Sequence, residues 1–225
     1  MDNRFIRQSG LINEDILDVP ITVVGAGGIG SFVVLTLAKM GFSDILVIDP
    51  DTIEEHNLPN QFYRIADIGK RKVDALREIV NDYTGTDISV SGYMWRKEDE
   101  IDNGGVVISA VDSMKSRKDI YDSVKRNRDV VALIDGRMGG NQLEVYTCCI
   151  RNSDDKNRYK DTLWSDQQAT NVPCTERAVL YNVLNIASWI ANQTRLVLSN
   201  KQYERQLIMD LENMILVVPQ EEKVV

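Results

Sequence analysis

The run Ile21-Thr-Val-Val24-Gly25-Ala-Gly-Gly-Ile-Gly30 decides how the rest of the chain is read. Four residues rich in β-branched side chains end in Gly25-x-Gly27-x-x-Gly30. The segment Ser31 to Met40 follows, apolar at Phe32, Val33, Leu35, Leu37, Ala38 and Met40. A compact β-rich run, a glycine turn and a helical segment predict strand, turn and helix in that order. Gly41 supplies a C-terminal cap for the helix. Ile45 to Ile48 is a second short strand, ended by Asp49-Pro-Asp51. This order is a βαβ unit, and it requires a parallel sheet with a right-handed crossover. Glycines permit the tight turn and let backbone approach a phosphate. The helix start adds open N–H groups and the positive end of a dipole. A nucleotide site on Gly25, Gly27, Gly28 and Gly30 is therefore expected, with a glycine turn that binds nothing as the plain alternative.

The alternation continues in both directions. Gly69 to Asn81 reads as a helix with Val73, Leu76, Ile79 and Val80 on one face. Ile88 to Met94 reads as a strand, and Val106 to Val111 as a continuous apolar strand buried on both faces. Ser113 to Arg126 is helical and Val130 to Ile134 is another strand. Leu143 to Cys149 is expected to extend the sheet in the antiparallel sense. Residues 151 to 173 read as a long polar loop, Thr175 to Asn192 as a helix, and Gln206 to Val218 as a hairpin turning near Glu212-Asn213. Residues 1 to 18 form an arm with a short helix around Gly10 to Leu17, and Gln220 to Val225 a frayed tail. The expected class is α/β. It is a Rossmann-like, mostly parallel sheet with helices on both faces and antiparallel strands in the C-terminal part, one domain over residues 1–225.

Composition narrows the function. The 225 residues are 43% apolar and 27% charged, which excludes a disordered chain, a collagen and a membrane bundle. No apolar run approaches the ~20 residues of a bilayer span. No secretory leader opens the chain, so a cytoplasmic protein is expected. With 26 Lys and Arg against 34 Asp and Glu the net charge is −8, a surface that phosphate backbones repel. No nucleic-acid partner is expected. Cys148, Cys149 and Cys174 have no C-x-x-C spacing, so neither a disulfide framework nor a structural zinc site is expected. The single histidine, His56, excludes chemistry that needs several.

Asp49 stands about 20 residues past the glycines, where a ribose-binding carboxylate sits in a dinucleotide fold. Alone it suits NAD as well as ATP. The stretch from Asp51 through Asn57-Leu, Gln61 and Arg64 favours ATP, because a dehydrogenase needs no second carboxylate, Asn-Leu turn and glutamine there. Lys70-Arg71-Lys72 then puts three cations at a helix start, which a bound polyphosphate would offset, with a solvated basic turn as the plain alternative. Asp112 ends a strand, where an open parallel sheet places ligand contacts. Its plain alternative is a helix cap with Ser113. Asp135-Gly-Arg137-Met-Gly-Gly140 reads as a glycine-rich turn that could receive a substrate's C-terminus, or as a plain hairpin turn. Cys174 precedes a helix, a position that lowers a thiol's pKa. Cys148 and Cys149 read as packing residues.

In this order, Arg4-Phe-Ile-Arg7-Gln8, the glycine loop, Asp49-x-Asp51, Asn57-Leu-x-x-Gln61, Gly69-x-x-Lys72 and Ala110-Val-Asp112-Ser113 resemble the ThiF/MoeB-like, ubiquitin-activating-enzyme-like adenylyltransferases. The resemblance runs from about Arg4 to Asn192. It implies ATP and Mg²⁺ as cofactors and a ubiquitin-like or sulfur-carrier protein, or a peptide, as the partner whose free C-terminus is activated. By the same resemblance Gly28 approaches the nucleotide, Asp49 binds the ribose, Asn57 lies beside the phosphates, Lys72 neutralises the α-phosphate and Asp112 holds Mg²⁺. Cys174 is a candidate acyl acceptor. Arg4, with Arg7 beside it, is expected to reach across a homodimer into the other site. Two departures stand out. Asn60 replaces the arginine of the family's Asn-Leu-x-Arg-Gln, a loss Arg64 could offset, and the zinc-binding Cys pairs are missing. The length leaves no expected room for an appended ubiquitin-fold or rhodanese domain. The alternatives are a non-catalytic partner subunit and a NAD(P)-binding oxidoreductase.

Overall fold

Ile21–Val24 (β1) is buried along its whole length, as a strand covered on both faces must be. In the computed structural model, which describes residues 3–101, 104–163 and 179–219, β1 lies inside an eight-stranded sheet. The first elements after it are α1 (Gly28–Lys39), β2 (Ile45–Ile48), α2 (Lys72–Thr84), β3 (Ser89–Ser91) and β4 (Gly105–Ser109). There follow α3 (Met114–Val124), β5 (Val130–Gly139), β6 (Gln142–Cys149), α4 (Ser153–Asp161), α5 (Leu180–Leu198), β7 (Gln206–Asp210) and β8 (Ile215–Val217). The strand order is β3-β2-β1-β4-β5-β6-β7-β8. Strands β1 to β5 pair in parallel, and β5 to β8 pair antiparallel. The fold is thus α/β with an antiparallel C-terminal part. One apolar cluster joins α1, α2 and α5 to one face, and a second packs α3 and α4 on the other. No described helix is long and apolar enough to cross a membrane.

β1, α1 and β2 match the sequence reading closely, and the β7–β8 hairpin turns where expected. Other elements differ. The helix expected from Gly69 begins at Lys72, because Gly69 takes a φ of +86° and Arg71 bridges Thr52 in extended form. Two 3₁₀ turns, Asn3–Gln8 and Glu14–Ile16, replace the helix expected around Gly10 to Leu17. The arm is bound to its own chain: Gln8 Nε2 donates to Met40 O at 2.5 Å, and Arg4 Nη1 to Thr84 O at 2.6 Å. The glycine-rich turn expected at 135–140 is strand. Pairing with β6 carries β5 on to Gly139. Within the loop expected at 151–173, Ser153–Asp161 is helix α4, capped by Asn152, with Asp154 and Asp155 in the first turn and Arg158 and Lys160 in the last. The tail from Gln220 lies outside the described residues.

The stretch leading into α2 is tied down by charge. Asp67 is fully buried and accepts from Arg64 Nε at 2.7 Å, with Lys70 Nζ at 3.1 Å. Lys70 and Arg64 also reach Glu78. The guanidinium of Arg64, assisted by Lys70, holds the Asp67 carboxyl down to about 2 against an ordinary 3.8. A depressed carboxyl stabilises the fold above its unfolded pKa, and that stabilisation disappears as pH falls through the folded value. Both cations are partly exposed, so the effect is discounted to about 1–2 kcal/mol. Asp67→Asn should therefore lower stability at pH 7 by that amount and flatten the acid limb between roughly pH 4 and 2. Urea unfolding across pH measures both effects; parallel profiles for the two proteins would refute the assignment.

Candidate functional site

Strand order reverses between β1 and β4, because the crossover from β1 runs to one side and the next returns to the other. A crevice opens at such a switch point, outside the carboxyl ends of the strands. Gly25 closes β1 with a φ of +101°, and a Cβ there would stand 2.6 Å from Ala110 O, so the loops after β1 and β4 touch. At Gly30 a Cβ would fall 1.8 Å from Gly25 O, a spacing that admits only glycine. Helix α1 starts at Gly28, and no side chain caps it at Gly27. Its first amides therefore have no side-chain cap and open onto the crevice, an arrangement that suits an anion.

Asp49, 6% exposed, ends β2 and accepts from Ala26 N at 2.6 Å and from Asp51 N at 2.8 Å. Each oxygen keeps a further lone pair for a hydroxyl donor. Asp51 Oδ2 lies 2.8 Å from Lys72 Nζ, and the Lys72 amide donates to Asp51 O at 2.9 Å. Lys72 itself is buried. The segment 57–63 lies over the glycine loop. Asn60 O would come within 3.2 Å of a Cβ on Gly28, and Gln61 Nε2 within 3.9 Å of one on Gly27. Gln61 Oε1 is buried and has no hydrogen-bond partner among the described residues. Asn57 Oδ1 accepts from Glu54 N at 2.9 Å, which closes a 3₁₀ turn. Ser113 caps α3 by accepting from Ser116 N at 3.1 Å, and Asp112 is exposed beside it.

The structure thus gathers Gly25, Gly27, Gly28, Gly30, Asp49, Asp51, Gln61 and Lys72 at one crevice, with Asp112 on the adjoining loop. Open amides, a lysine and an orphaned amide oxygen suit a polyphosphate ester with a ribose. Among the described residues, no three metal-ligating side chains stand together. Asp112 alone fits Mg²⁺, which commonly takes one or two carboxylates and draws its other ligands from phosphates and water.

Other candidates lie elsewhere. Arg64 is bound to Asp67, Glu78 and Asp82. The last two lie six and ten residues beyond Lys72, roughly 9–15 Å along α2. Lys70 and Arg71 meet Glu78 and Asp74, so those two cations need no phosphate to offset them. Arg4 binds the C-terminal end of α2, opposite the crevice. Cys174 lies outside the described residues. Burial pushes the Cys148 thiol up to about 12, which suits packing and not attack. His56 is exposed, 3.4 Å from Glu54. Arg137 is buried, not open to a substrate. It bonds to Asp135 at 2.7 Å and to Thr162, with its guanidinium 4.2 Å from the centre of the Tyr146 ring. Sequence reasoning passed over Tyr63, whose hydroxyl donates to Ala26 O at 2.6 Å, and Arg117, which donates to Asp135 at 3.1 Å. A lone tyrosine beside Phe62 carries no sequence signal beyond packing.

The chain matches the profile of the ThiF family over residues 3–221. It is 36% identical over 124 residues to the NEDD8-activating enzyme E1 catalytic subunit of Arabidopsis thaliana, covering 52% of this chain and 27% of that protein. It is 31% identical over 132 residues to the tRNA threonylcarbamoyladenosine dehydratase of Haemophilus influenzae, covering 53% of this chain and 48% of that protein. The chain thus spans between about a quarter and a half of these relatives. Among solved structures, E. coli MccB with AMPCPP and MccA superposes with a TM-score of 0.75 at 17% identity, over 99% of this chain and 73% of that one. PaaA superposes with a TM-score of 0.73 at 19% identity, over 95% and 80%. The glycine turn at the switch point, the carboxylate after β2 and the lysine opening α2 are therefore set in a recognised framework: this chain belongs to the ThiF family.

Proposed function

We propose that the chain is an ATP-dependent adenylyltransferase. It activates the C-terminal carboxylate of a ubiquitin-like or sulfur-carrier protein, or of a peptide, as an acyl-adenylate. The observation that carries this reading is the convergence of the uncapped α1 start, the Asp49 carboxylate and the buried Lys72, paired with an exposed Asp51, on one crevice. The E. coli MccB structures with ATP and with AMPCPP and MccA support it, since they hold a nucleotide on the same fold.

In this reading a carboxylate oxygen attacks the α-phosphorus, the Pα–O–Pβ bond breaks and pyrophosphate leaves. The chain contributes positioning and charge neutralisation. Asp49 receives the ribose hydroxyls, the amides from Gly28 onward face the phosphates, and Gln61 and Asn57 line the same side. Lys72 turns from Asp51 toward the α-phosphate, where negative charge builds. Mg²⁺, held by Asp112, would supply further neutralisation of the phosphates.

The carrier's docking face is proposed on the C-terminal hairpin. Ile215 and Val217 are about half exposed, and Val217 shares a row with Ile208, Glu144 and Arg137. From β8 to β4 is four strand spacings, roughly 19 Å, so a tail of about six extended residues spans the distance. Supply of Arg4 from a second copy is also part of the proposal, because Arg4 stands at the far edge of its own protomer and Asn60 leaves the crevice without the family's arginine. A non-catalytic partner subunit is the second reading, favoured by that same Asn60.

Isothermal titration should show Mg-ATP binding and negligible NAD binding; tight NAD binding without a response to ATP would exclude the adenylation reading. Lys72→Ala is expected to lower carrier-dependent ATP–pyrophosphate exchange at least tenfold, a loss of about 1.5–3 kcal/mol. Asp112→Ala should lower the exchange and raise the Mg²⁺ concentration that it needs. Wild-type exchange in both variants would show the site to be wrongly assigned, and no exchange in the wild type with any carrier would favour the partner-subunit reading. Mixing Arg4→Ala with Lys72→Ala protein should restore part of the activity, because a mixed dimer has one intact site. A fully active monomer by light scattering would end the shared-site proposal.

A further inference from the structure

A glycine loop that cradles phosphate carries a cost, since glycines lose more conformational freedom on ordering than any other residue. Some contact must hold the Gly25–Gly28 stretch in one shape. The hydrogen bonds place that contact at Ala26, the loop's one residue with a side chain. Its N–H donates to Asp49 Oδ2 at 2.6 Å, and its carbonyl accepts from the Tyr63 hydroxyl at 2.6 Å. The peptide groups on both sides of Ala26 are therefore gripped, one by a carboxylate from β2 and one by a phenol from the 57–64 segment.

Tyr63 is itself well anchored. Phe62, one residue before it, donates its N–H to Ser31 Oγ at 3.0 Å and sets its ring against Phe32 at 5.2 Å and Tyr83 at 5.8 Å. Arg64, one residue after it, is fastened to Asp67 and α2. The phenol cannot drift without dislodging one of these attachments. Burial, and then the carboxylates of Asp49, Asp51 and Asp67, hold its pKa well above the ordinary value, so it remains a proton donor wherever the protein is folded.

We infer that Tyr63 is a positioning residue for nucleotide binding: its hydroxyl fixes the Ala26 carbonyl and so aims the amides at the start of α1. The inference rests on the nucleotide reading above. It adds a residue outside the glycine motif, outside Asp49 and Lys72, and outside Asn57 and Gln61. Tyr63 acts through the loop, with no contact to the ligand required. Tyr63→Phe keeps the ring and its packing and removes only the donor, which frees the Gly27 peptide to turn.

The test uses the full chain, as wild type and as Tyr63→Phe. Each is titrated calorimetrically with Mg-ATP, melted without nucleotide, and followed by hydrogen exchange over the peptide spanning residues 26–31. Expected is a Kd for Mg-ATP raised about tenfold, with faster exchange at the Gly27 and Gly28 amides. An unchanged Kd overturns the inference, even if the melting temperature falls, because that is the signature of packing alone. If the variant melts near the titration temperature, the titration is repeated in the cold. A loss of affinity that persists there supports the role, and one that vanishes refutes it. If wild-type protein binds no ATP, the nucleotide reading is what fails. Exchange then decides the grip on its own: faster exchange in the variant upholds it, and unchanged exchange refutes it.

Discussion

The carboxylate of Asp49 is almost wholly removed from water, and such a charge must be met by donors. The donors it finds are backbone amides from two segments, Ala26 in the glycine loop and Asp51 after β2. That single requirement fixes the loop after β1 against the end of β2. It also orients Asp51, whose carbonyl accepts the first amide of α2 and whose carboxylate takes the Lys72 ammonium. Glycine loop, strand end and helix start are thus one hydrogen-bonded unit. The site's shape follows from satisfying one buried anion.

A second buried carboxylate serves the opposite face. Asp135, 0% exposed, receives Arg117 from α3 on one oxygen and Arg137 from its own strand on the other. Arg117 also donates to Gly136 O at 3.2 Å, so the first turn of α3 is pinned to β5. The Asp112-Ser113 loop enters α3 directly and inherits that placement. Removing one member of such a group strands the others in a low dielectric, which makes it a fixed support for the loop and not an adjustable surface.

The parts legible in the sequence were those where propensity, periodicity and turn chemistry agree. β1, α1 and β2 are of this kind, and Asp49 follows from its distance to the glycines, whereas Lys72 stood out as a cation at a helix start and took its role from the family resemblance. Helix α4 was hidden because Ser153–Asp161 has almost no apolar stripe, although Asn152 and the charge order along it form an ordinary cap signature. β5 beyond Asp135 was hidden for the opposite reason. Gly136, Gly139 and Gly140 read as a turn, but eight residues of β6 pair through them, and cross-strand pairing outweighs local preference. The partners of Lys70 and Arg71, and the reach of Tyr63 across 37 residues to Ala26, depend on the fold and leave no trace in local spacing.

Asp155 carries a consequence for assembly. It is 2% exposed, sits in the first turn of α4, and accepts from Cys149 N, Tyr203 and Arg205. Two of those donors stand some fifty residues later in the chain. As the chain emerges from the ribosome, β1 to β5 can pair while Asp155 still lacks Tyr203 and Arg205. Until they arrive, burying α4 means burying an undercompensated anion. The helix therefore docks late, after α5 has crossed back over the sheet and brought residues 203–205 to β6. The docking of α4 is thus coupled to the placement of residues 203–205 beside β6, and a chain cut short before Tyr203 would leave Asp155 without two of its three donors.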